Sequence, residues 1–194
     1  MFKSIYYTVN GITLYRLLTA PLLIYLAVTH RLDIFKWLLA CSFLTDLVDG
    51  NIARRYKVTS ILGSKLDSIA DDLTIVAAFI GMIVFRIEFF KEVFVPILIL
   101  FSLYIFQIAL AFIRYGKMTG FHTYTAKAAA ICQGIFFLLL FFLPEPLYVL
   151  FFTAVIVTGV DLIEEIILVI ILPKWETDVK GLYWVHMRNR QTRN

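Results

Sequence analysis

The chain has 194 residues, of which 61% are hydrophobic and 16% aromatic, and its formal net charge is +4. A mean hydropathy of +0.85 implies more apolar surface than a water-soluble domain can bury, so the composition excludes an ordinary soluble protein and indicates an integral membrane protein. The two cysteines, Cys41 and Cys132, lie in apolar segments without metal-type spacing, which favours buried thiols over a disulfide framework or a metal site.

The apolar segments, taken in chain order, predict an all-α protein with six transmembrane helices, because a span needs about 17–25 mostly apolar residues. Five and seven helices are the alternatives. The predicted spans are residues 12–29, 34–50, 61–85, 93–113, 126–143 and 147–172. No linker, low-complexity run or repeat interrupts them, so we expect a single domain over residues 1–194.

The two ends of the chain are predicted to lie at the membrane surface. Residues 1–10, "MFKSIYYTVN", favour a short N-terminal amphipathic helix. The first span contains Arg16 and no small-residue cleavage site follows it, so we expect it to be retained and not removed as a signal peptide. After Pro173 the tail is polar and basic, with aromatic residues suited to the headgroup region: Trp175, Tyr183 and Trp184.

Basic residues in the short loops predict the orientation. If the N-terminus is cytoplasmic, the inner loops and the tail hold Lys3, Arg54, Arg55, Lys57, Arg114, Lys117, Lys174, Lys180, Arg188, Arg190 and Arg193. The outer loops then hold fewer: Arg31, Lys36, Arg86 and Lys91. This bias puts both termini in the cytoplasm. Topology and contact with anionic lipid account for the positive charge, so a nucleic-acid partner is not expected.

Residues 42–72, "SFLTDLVDGNIARRYKVTSILGSKLDSIADD", place five aspartates beside apolar segments. On a helix, Asp46 and Asp49 are three apart and share a face, which Gly50 and Ala53 continue. The short link that follows makes the second and third predicted helices antiparallel neighbours.

On the third predicted helix, Asp67 and Asp71 are four apart, with Gly63 one turn earlier on the same stripe. Asp72 is rotated by about 100° from Asp71 and points elsewhere. The pattern therefore predicts that four carboxylates converge near the cytoplasmic boundary.

Four carboxylates held close together either take up protons or recruit a cation. Oxygen ligands without histidine or cysteine favour a hard divalent ion, Mg²⁺ or Mn²⁺. The small residues beside them allow either tight helix packing or space for a bulky ligand. Two other interpretations are ion pairing with Arg54, Arg55, Lys57 and Lys65 at the interface, and a proton or cation relay in a membrane carrier.

The strings "DLVDGNIAR" and "GSKLDSIAD", separated by eight residues, resemble the signature of the CDP-alcohol phosphotransferase family, D-x-x-D-G-x-x-A-R and G-x-x-x-D-x-x-x-D. Every fixed position is present. The opening "NGITLYRLLTAPLLIYL" also resembles the start of that family, at Asn10, Thr13, Arg16 and Pro21.

The resemblance implies an enzyme of phospholipid synthesis that transfers a phosphatidyl group from CDP-diacylglycerol to an alcohol and releases CMP. It implies Asp71 as the general base and four metal ligands, Asp46, Asp49, Asp67 and Asp71. It also implies a CDP pocket formed by Asp46, Asp49, Gly50, Ala53, Arg54, Gly63 and Asp67. The expected cofactor is Mg²⁺ or Mn²⁺, the expected location is a bacterial inner membrane with a cytoplasmic active site, and a homodimer is implied.

The segment "IRYGKMTGFHTYTAK" carries cations suited to an acceptor with a phosphate: Arg114, Lys117 and Lys127. Glycerol 3-phosphate is the first acceptor we consider, with inositol phosphate, serine and inositol as alternatives. "HTYTAK", which includes His122, departs from the G-K-x-K-T-like string of family members that make phosphatidylglycerol phosphate.

A second acidic patch lies on the last predicted span. Its members, Asp161, Glu164 and Glu165, share one side of a helix. We expect them to pair with Arg16 or Lys127, or to contact a polar acceptor.

Overall fold

The computed structural model describes residues 2–56, 61–121, 123–177 and 179–191, and the side chains within these ranges except those of residues 2–10, 12–13, 46–56, 61–65, 67–68 and 189–191. Within this part of the chain the structure is helical, and the only pairing of extended backbone is an isolated bridge between Gly120 and Thr177. The helices are α1 (Phe2–Val28), α2 (Leu32–Tyr56), α3 (Ile61–Phe85), α4 (Ile87–Glu92), α5 (Phe94–Tyr115), α6 (Tyr124–Phe142), α7 (Tyr148–Ile171) and α8 (Leu182–Gln191).

The predicted helical class is confirmed for the described residues, and α3 has the predicted bounds. The separate N-terminal amphipathic helix is wrong, because α1 runs unbroken from Phe2 to Val28. No proline separates the first ten residues from the span, and one glycine costs a helix only about 1 kcal/mol. Two short helices that the hydropathy pattern did not reveal, α4 and α8, are too short or too polar to register as spans.

The described chain divides into two compact units. The first unit comprises Met1–Lys91 and Phe137–Glu145. In it, α1 packs against α2 and α3, and α2 and α3 contact each other, as the short link predicts. Its core includes the fully buried Leu23, Leu39 and Met82.

Three aromatic rings pack together within this first core. The ring of Phe35 lies 5.3 Å from that of Phe85 and 5.0 Å from that of Phe141, measured between centroids. Gly81 lies buried where these rings meet, and a Cβ there would approach Cε1 of Phe35 to 2.8 Å.

The second unit comprises Glu92–Phe136 and Pro146–Asn194. In it, α5 packs against α7, and α8 contacts α7. One hydrophobic cluster joins these helices to the segments between them: Ala111, Phe121, Leu168, Val169, Leu172, Val179 and Val185. This cluster therefore includes the loop after α5 and the chain on either side of the start of α8.

Among the described residues, α5 and α6 are long and apolar enough to cross a bilayer, with mean hydropathies of 2.4 and 1.8. Large apolar side chains along α5 face outwards, and Ile113 is 85% exposed. Exposed apolar area on this scale suits contact with lipid and not with water. The same holds for α7, where Val149 is 84% exposed. The count of six spans and the cytoplasmic position of both termini stay predictions.

Candidate active site

A buried arginine meets the last aspartate of the carboxylate cluster inside the first unit. Nη2 of Arg16, on α1, pairs with Oδ1 of Asp71, on α3. The side chain of Arg16 is 2% exposed and that of Asp71 43% exposed. A guanidinium so deeply buried is stable only when it is paired, and the pair in turn fixes the direction of the carboxylate. Asp71 is thus held on one side and accessible on the other.

The neighbouring aspartate behaves differently. Asp72 is exposed, whereas Asp71 is partly buried against α1. This separation follows from the rotation of about 100° between successive residues of a helix. That Asp72 points away from the other four aspartates stays a prediction, because the side chains of Asp46, Asp49 and Asp67 lie outside the described residues.

The remaining predicted site residues lie on helical backbone, but their side chains are outside the described part of the structure: Asp46, Asp49, Gly50, Ala53, Arg54, Gly63 and Asp67. Their helices still restrict the geometry. Because Asp67 precedes Asp71 by four residues within α3, the two Cα atoms lie one turn apart on the same side. The expected convergence of four carboxylates stays a prediction.

A second polar cluster lies in the second unit, around Asp161 of α7. Its carboxylate, in a residue only 9% exposed, accepts hydrogen bonds of 3.0 Å from the hydroxyls of Thr123 and Thr125. Thr123 also accepts a 2.9 Å hydrogen bond from the backbone N–H of Ala126 and so caps the start of α6. Asp161 is therefore tied to the first turn of α6.

Two glutamates extend this cluster along α7. Oε2 of Glu164 shares the single hydroxyl hydrogen of Thr125 with Asp161, and Oε1 of Glu164 accepts a 2.8 Å hydrogen bond from the backbone N–H of Leu182. Glu165 accepts a 2.9 Å bond from the buried amide of Gln107. These donors are neutral, so the expected pairing with Arg16 or Lys127 is wrong for the described contacts; Arg16 binds Asp71.

The three predicted acceptor cations are exposed, and each lies against a structural partner. Arg114 donates a 3.2 Å hydrogen bond to the carbonyl of Leu172, which ends α7. Lys117 lies 4.8 Å from the ring centroid of Trp175, and Lys127 lies 5.3 Å from that of Tyr124. The charged groups of all three residues therefore lie at the surface. His122 lies outside the described residues.

Several polar residues of the second cluster were not predicted as part of any site. Gln107, Thr123 and Thr125 supply most of the hydrogen bonds to the acids. Gln107 is 1% exposed and lies between apolar residues in the middle of α5. A lone amide within a run of apolar residues is a detectable signal, because a buried amide requires a partner.

The model of one protein family, described as CDP-alcohol phosphatidyltransferase, matches residues 6–171 of this chain. A stretch of 73 residues is 42% identical to a cardiolipin synthase (CMP-forming)/mitochondrial hydrolase fusion protein of Schizosaccharomyces pombe and covers 36% of this chain and 12% of that protein. A stretch of 67 residues is 37% identical to the CDP-diacylglycerol–inositol 3-phosphatidyltransferase of Saccharomyces cerevisiae and covers 34% of this chain and 30% of that protein. No solved structure gives a significant match.

Proposed function

The chain belongs to the CDP-alcohol phosphatidyltransferase family of membrane transferases, and from this premise we propose that it moves the phosphatidyl group of CDP-diacylglycerol to a small polar alcohol and releases CMP. The observation that carries the proposal is the position of Asp71. It lies inside the matched region, it is oriented by a buried arginine, and it stays accessible on one side. An oriented, accessible carboxylate is what a general base requires.

In the proposed reaction, Asp71 accepts the proton of the acceptor hydroxyl. The hydroxyl oxygen forms a bond to the lipid-side phosphorus while the bond from that phosphorus to the CMP oxygen breaks, and CMP leaves with the bonding electrons. Arg16 holds the Asp71 carboxylate in place and offsets part of its charge. Arg16 is thus a positioning residue, because it acts through Asp71.

The chemistry of the residues fits a divalent cation. Asp46, Asp49, Asp67 and Asp71 offer carboxylate oxygens, the ligands that Mg²⁺ and Mn²⁺ prefer. Asp71, the member with a described side chain, has 43% of it accessible beside Arg16. A bound ion would neutralise the pyrophosphate and stabilise the departing CMP. Gly50, Ala53, Arg54 and Gly63, with the first three aspartates, would line the nucleotide pocket.

We propose glycerol 3-phosphate as the acceptor, with Arg114, Lys117 and Lys127 as the cations that receive its phosphate. Their exposed charge supports this assignment. Inositol phosphate, serine and inositol are the alternatives. A headgroup without phosphate would depend less on these three cations.

We propose that the site opens to the cytoplasm of a bacterial cell, where the CDP-lipid and the acceptor meet, and that the protein forms a homodimer. The bias of basic residues in the loops supports the orientation.

The test is to incubate the purified protein with CDP-diacylglycerol, Mg²⁺ and each of the four acceptors, and to measure both CMP and the lipid product. Transfer predicts that one acceptor gives a new phospholipid in equal amount to CMP. A cation- or proton-coupled carrier, the alternative without catalysis, makes no CMP, and that result with all four acceptors would contradict the proposal.

A further inference from the structure

The chain after α7 is fastened to the loop that carries Lys117 and connects the helices of the other two proposed acceptor cations, Arg114 on α5 and Lys127 on α6. We call residues 116–123 the acceptor loop and residues 173–191 the tail; residues 122 and 178 are not among those described. Nε1 of Trp175 donates a 3.0 Å hydrogen bond to the carbonyl of Met118. Lys117 lies over the ring of the same tryptophan, at 4.8 Å from its centroid. Two residues further, Gly120 and Thr177 form the isolated β-bridge.

A second set of contacts lies where the tail enters α8. The backbone N–H of Tyr124 donates a 3.3 Å hydrogen bond to the carbonyl of Lys180, and the rings of Tyr124 and Trp184 lie 5.0 Å apart. Phe121 of the acceptor loop is 6% exposed, in one cluster with Val179 and Val185 of the tail. The tail is thus joined to both ends of the loop by polar and apolar contacts.

Glu164 binds the tail and the start of α6 at once. Its Oε1 accepts the N–H of Leu182, the first residue of α8, and its Oε2 accepts the hydroxyl of Thr125. The first N–H groups of a helix have no partner within the helix, and a carboxylate at that end also interacts favourably with the helix dipole. Glu164 therefore supplies, from α7, the cap that α8 requires.

Gly181 is shaped to this contact. Its φ is 140°, in the region that favours glycine, and a Cβ on it would lie 2.8 Å from Oε1 of Glu164. The backbone conformation disfavours any larger residue, and a Cβ would fit only if the carboxylate of Glu164 moved away from its place at the start of α8. Two features of the sequence, Glu164 and Gly181, thus serve one junction.

We propose that Glu164 is a positioning residue for acceptor binding, which acts by clamping the tail onto the start of α6, directly after the acceptor loop. This inference rests on the proposed function, since it assumes that the loop receives the acceptor. The family match ends at residue 171, so the tail lies outside the matched region. Of the three acceptor cations, Lys117 is the one that contacts the tail, at Trp175. Glu164 itself touches neither the acceptor nor the reacting atoms in this proposal.

The test compares Glu164→Ala, Glu164→Gln and Gly181→Ala by steady-state kinetics, with the acceptor that the wild-type protein uses. Loss of a hydrogen-bonded clamp should raise KM for the acceptor about fivefold in Glu164→Ala and in Gly181→Ala, with kcat and KM for CDP-diacylglycerol nearly unchanged. Glu164→Gln keeps an oxygen for Leu182 and an amide that hydrogen-bonds Thr125, so KM should rise about twofold or less. Glu176→Gln is the matched control, because Glu176 pairs with Arg188 inside the tail.

Direct binding of the acceptor by the Glu164 charge makes the opposite prediction. KM for the acceptor would then rise as much in Glu164→Gln as in Glu164→Ala, and Gly181→Ala would have the KM of the wild type. That pattern would overturn the clamp. An unchanged KM for the acceptor in both alanine variants would also overturn it.

Hydrogen exchange separates this inference from the proposed function. The clamp predicts faster exchange in residues 116–127 of Glu164→Ala and Gly181→Ala than in the wild type. If the wild-type protein releases no CMP with any acceptor, the proposed function fails. Unchanged hydrogen exchange in both variants would then reject the clamp as well. Faster exchange in both variants would instead support the contact between tail and loop without the proposed function.

Discussion

Arg16 and Asp71 form an ion pair in which one side chain is buried and the other keeps an accessible side. The guanidinium is almost fully enclosed, so its charge is stabilised by its partner and not by water. The carboxylate keeps a large accessible fraction, which leaves room for a second partner. The next residue, Asp72, has the same functional group but is turned away and exposed.

We predict that Asp71→Asn lowers the rate of CMP release by about 10²- to 10⁴-fold, the usual contribution of a general base. Asp72→Asn is the matched control, since it makes the same chemical change one residue away, and its rate should stay within about threefold of the wild type. Equal rates for the two variants would remove Asp71 from the catalytic residues.

Arg86 illustrates a structural role at the same scale. Its Nε and Nη1 donate hydrogen bonds of 3.2 Å and 2.9 Å to the carbonyls of Leu140 and Pro144, and its Nη2 donates to that of Leu143. The last carbonyls of a helix have no partner within it, so Arg86 satisfies the end of α6.

We predict that Arg86→Ala destabilises the protein by about 1–3 kcal/mol, because partly buried carbonyls lose a charged donor. Thermal unfolding in detergent measures this. Lys91→Ala is the control: it removes only an exposed ion pair with Glu88, which is worth about 0–1 kcal/mol. A melting temperature of Arg86→Ala equal to that of the control would contradict the capping role.

At the scale of helices, packing in the first unit depends on close approach at Gly81. This residue lies on α3 where Phe35 of α2 and Phe141 of α6 meet, and a Cβ would come within 2.8 Å of the ring of Phe35. Glycine is otherwise a poor helix former, so its presence inside α3 is explained by the space that the rings occupy.

We predict that Gly81→Ala destabilises the protein by about 1–3 kcal/mol through overpacking, although alanine favours helix. Gly134→Ala, inside α6 with no atom within 4 Å of the added Cβ, should stabilise the protein by up to about 1 kcal/mol. The two melting temperatures should therefore shift in opposite directions; a shift in the same direction would show that the rings adjust without cost.

Helix positions were largely predictable from the apolar runs of spanning length, because a segment inside a bilayer must satisfy its own backbone hydrogen bonds and therefore forms a helix. That Asp71 and Asp72 point in different directions follows from the rotation between successive residues of a helix. The partners of Glu164 did not, because Thr125 and Leu182 lie 39 and 18 residues from it and meet it only through tertiary packing. Asp161, Glu164 and Glu165 of α7 were expected to form ion pairs, but hydroxyl and amide groups can also donate hydrogen bonds to carboxylates.

At the scale of the whole molecule, we propose that chemistry and selectivity are carried by different parts of the chain. The motif aspartates and Arg16 belong to the first unit, and the proposed acceptor cations and the clamp at Glu164 to the second. Variants of Asp71 should therefore lower kcat, and variants of Glu164 should raise KM for the acceptor. Both units contribute residues to the family match.

The most direct measurement of the central claim is CMP release from CDP-diacylglycerol by the purified protein, with EDTA present and after Mg²⁺ is restored. We predict CMP in equal amount to the new phospholipid, loss of both in excess EDTA, and recovery of both with Mg²⁺ or Mn²⁺. CMP release that persists undiminished in excess EDTA would contradict metal-dependent transfer, and the absence of CMP under every condition would contradict phosphatidyl transfer itself.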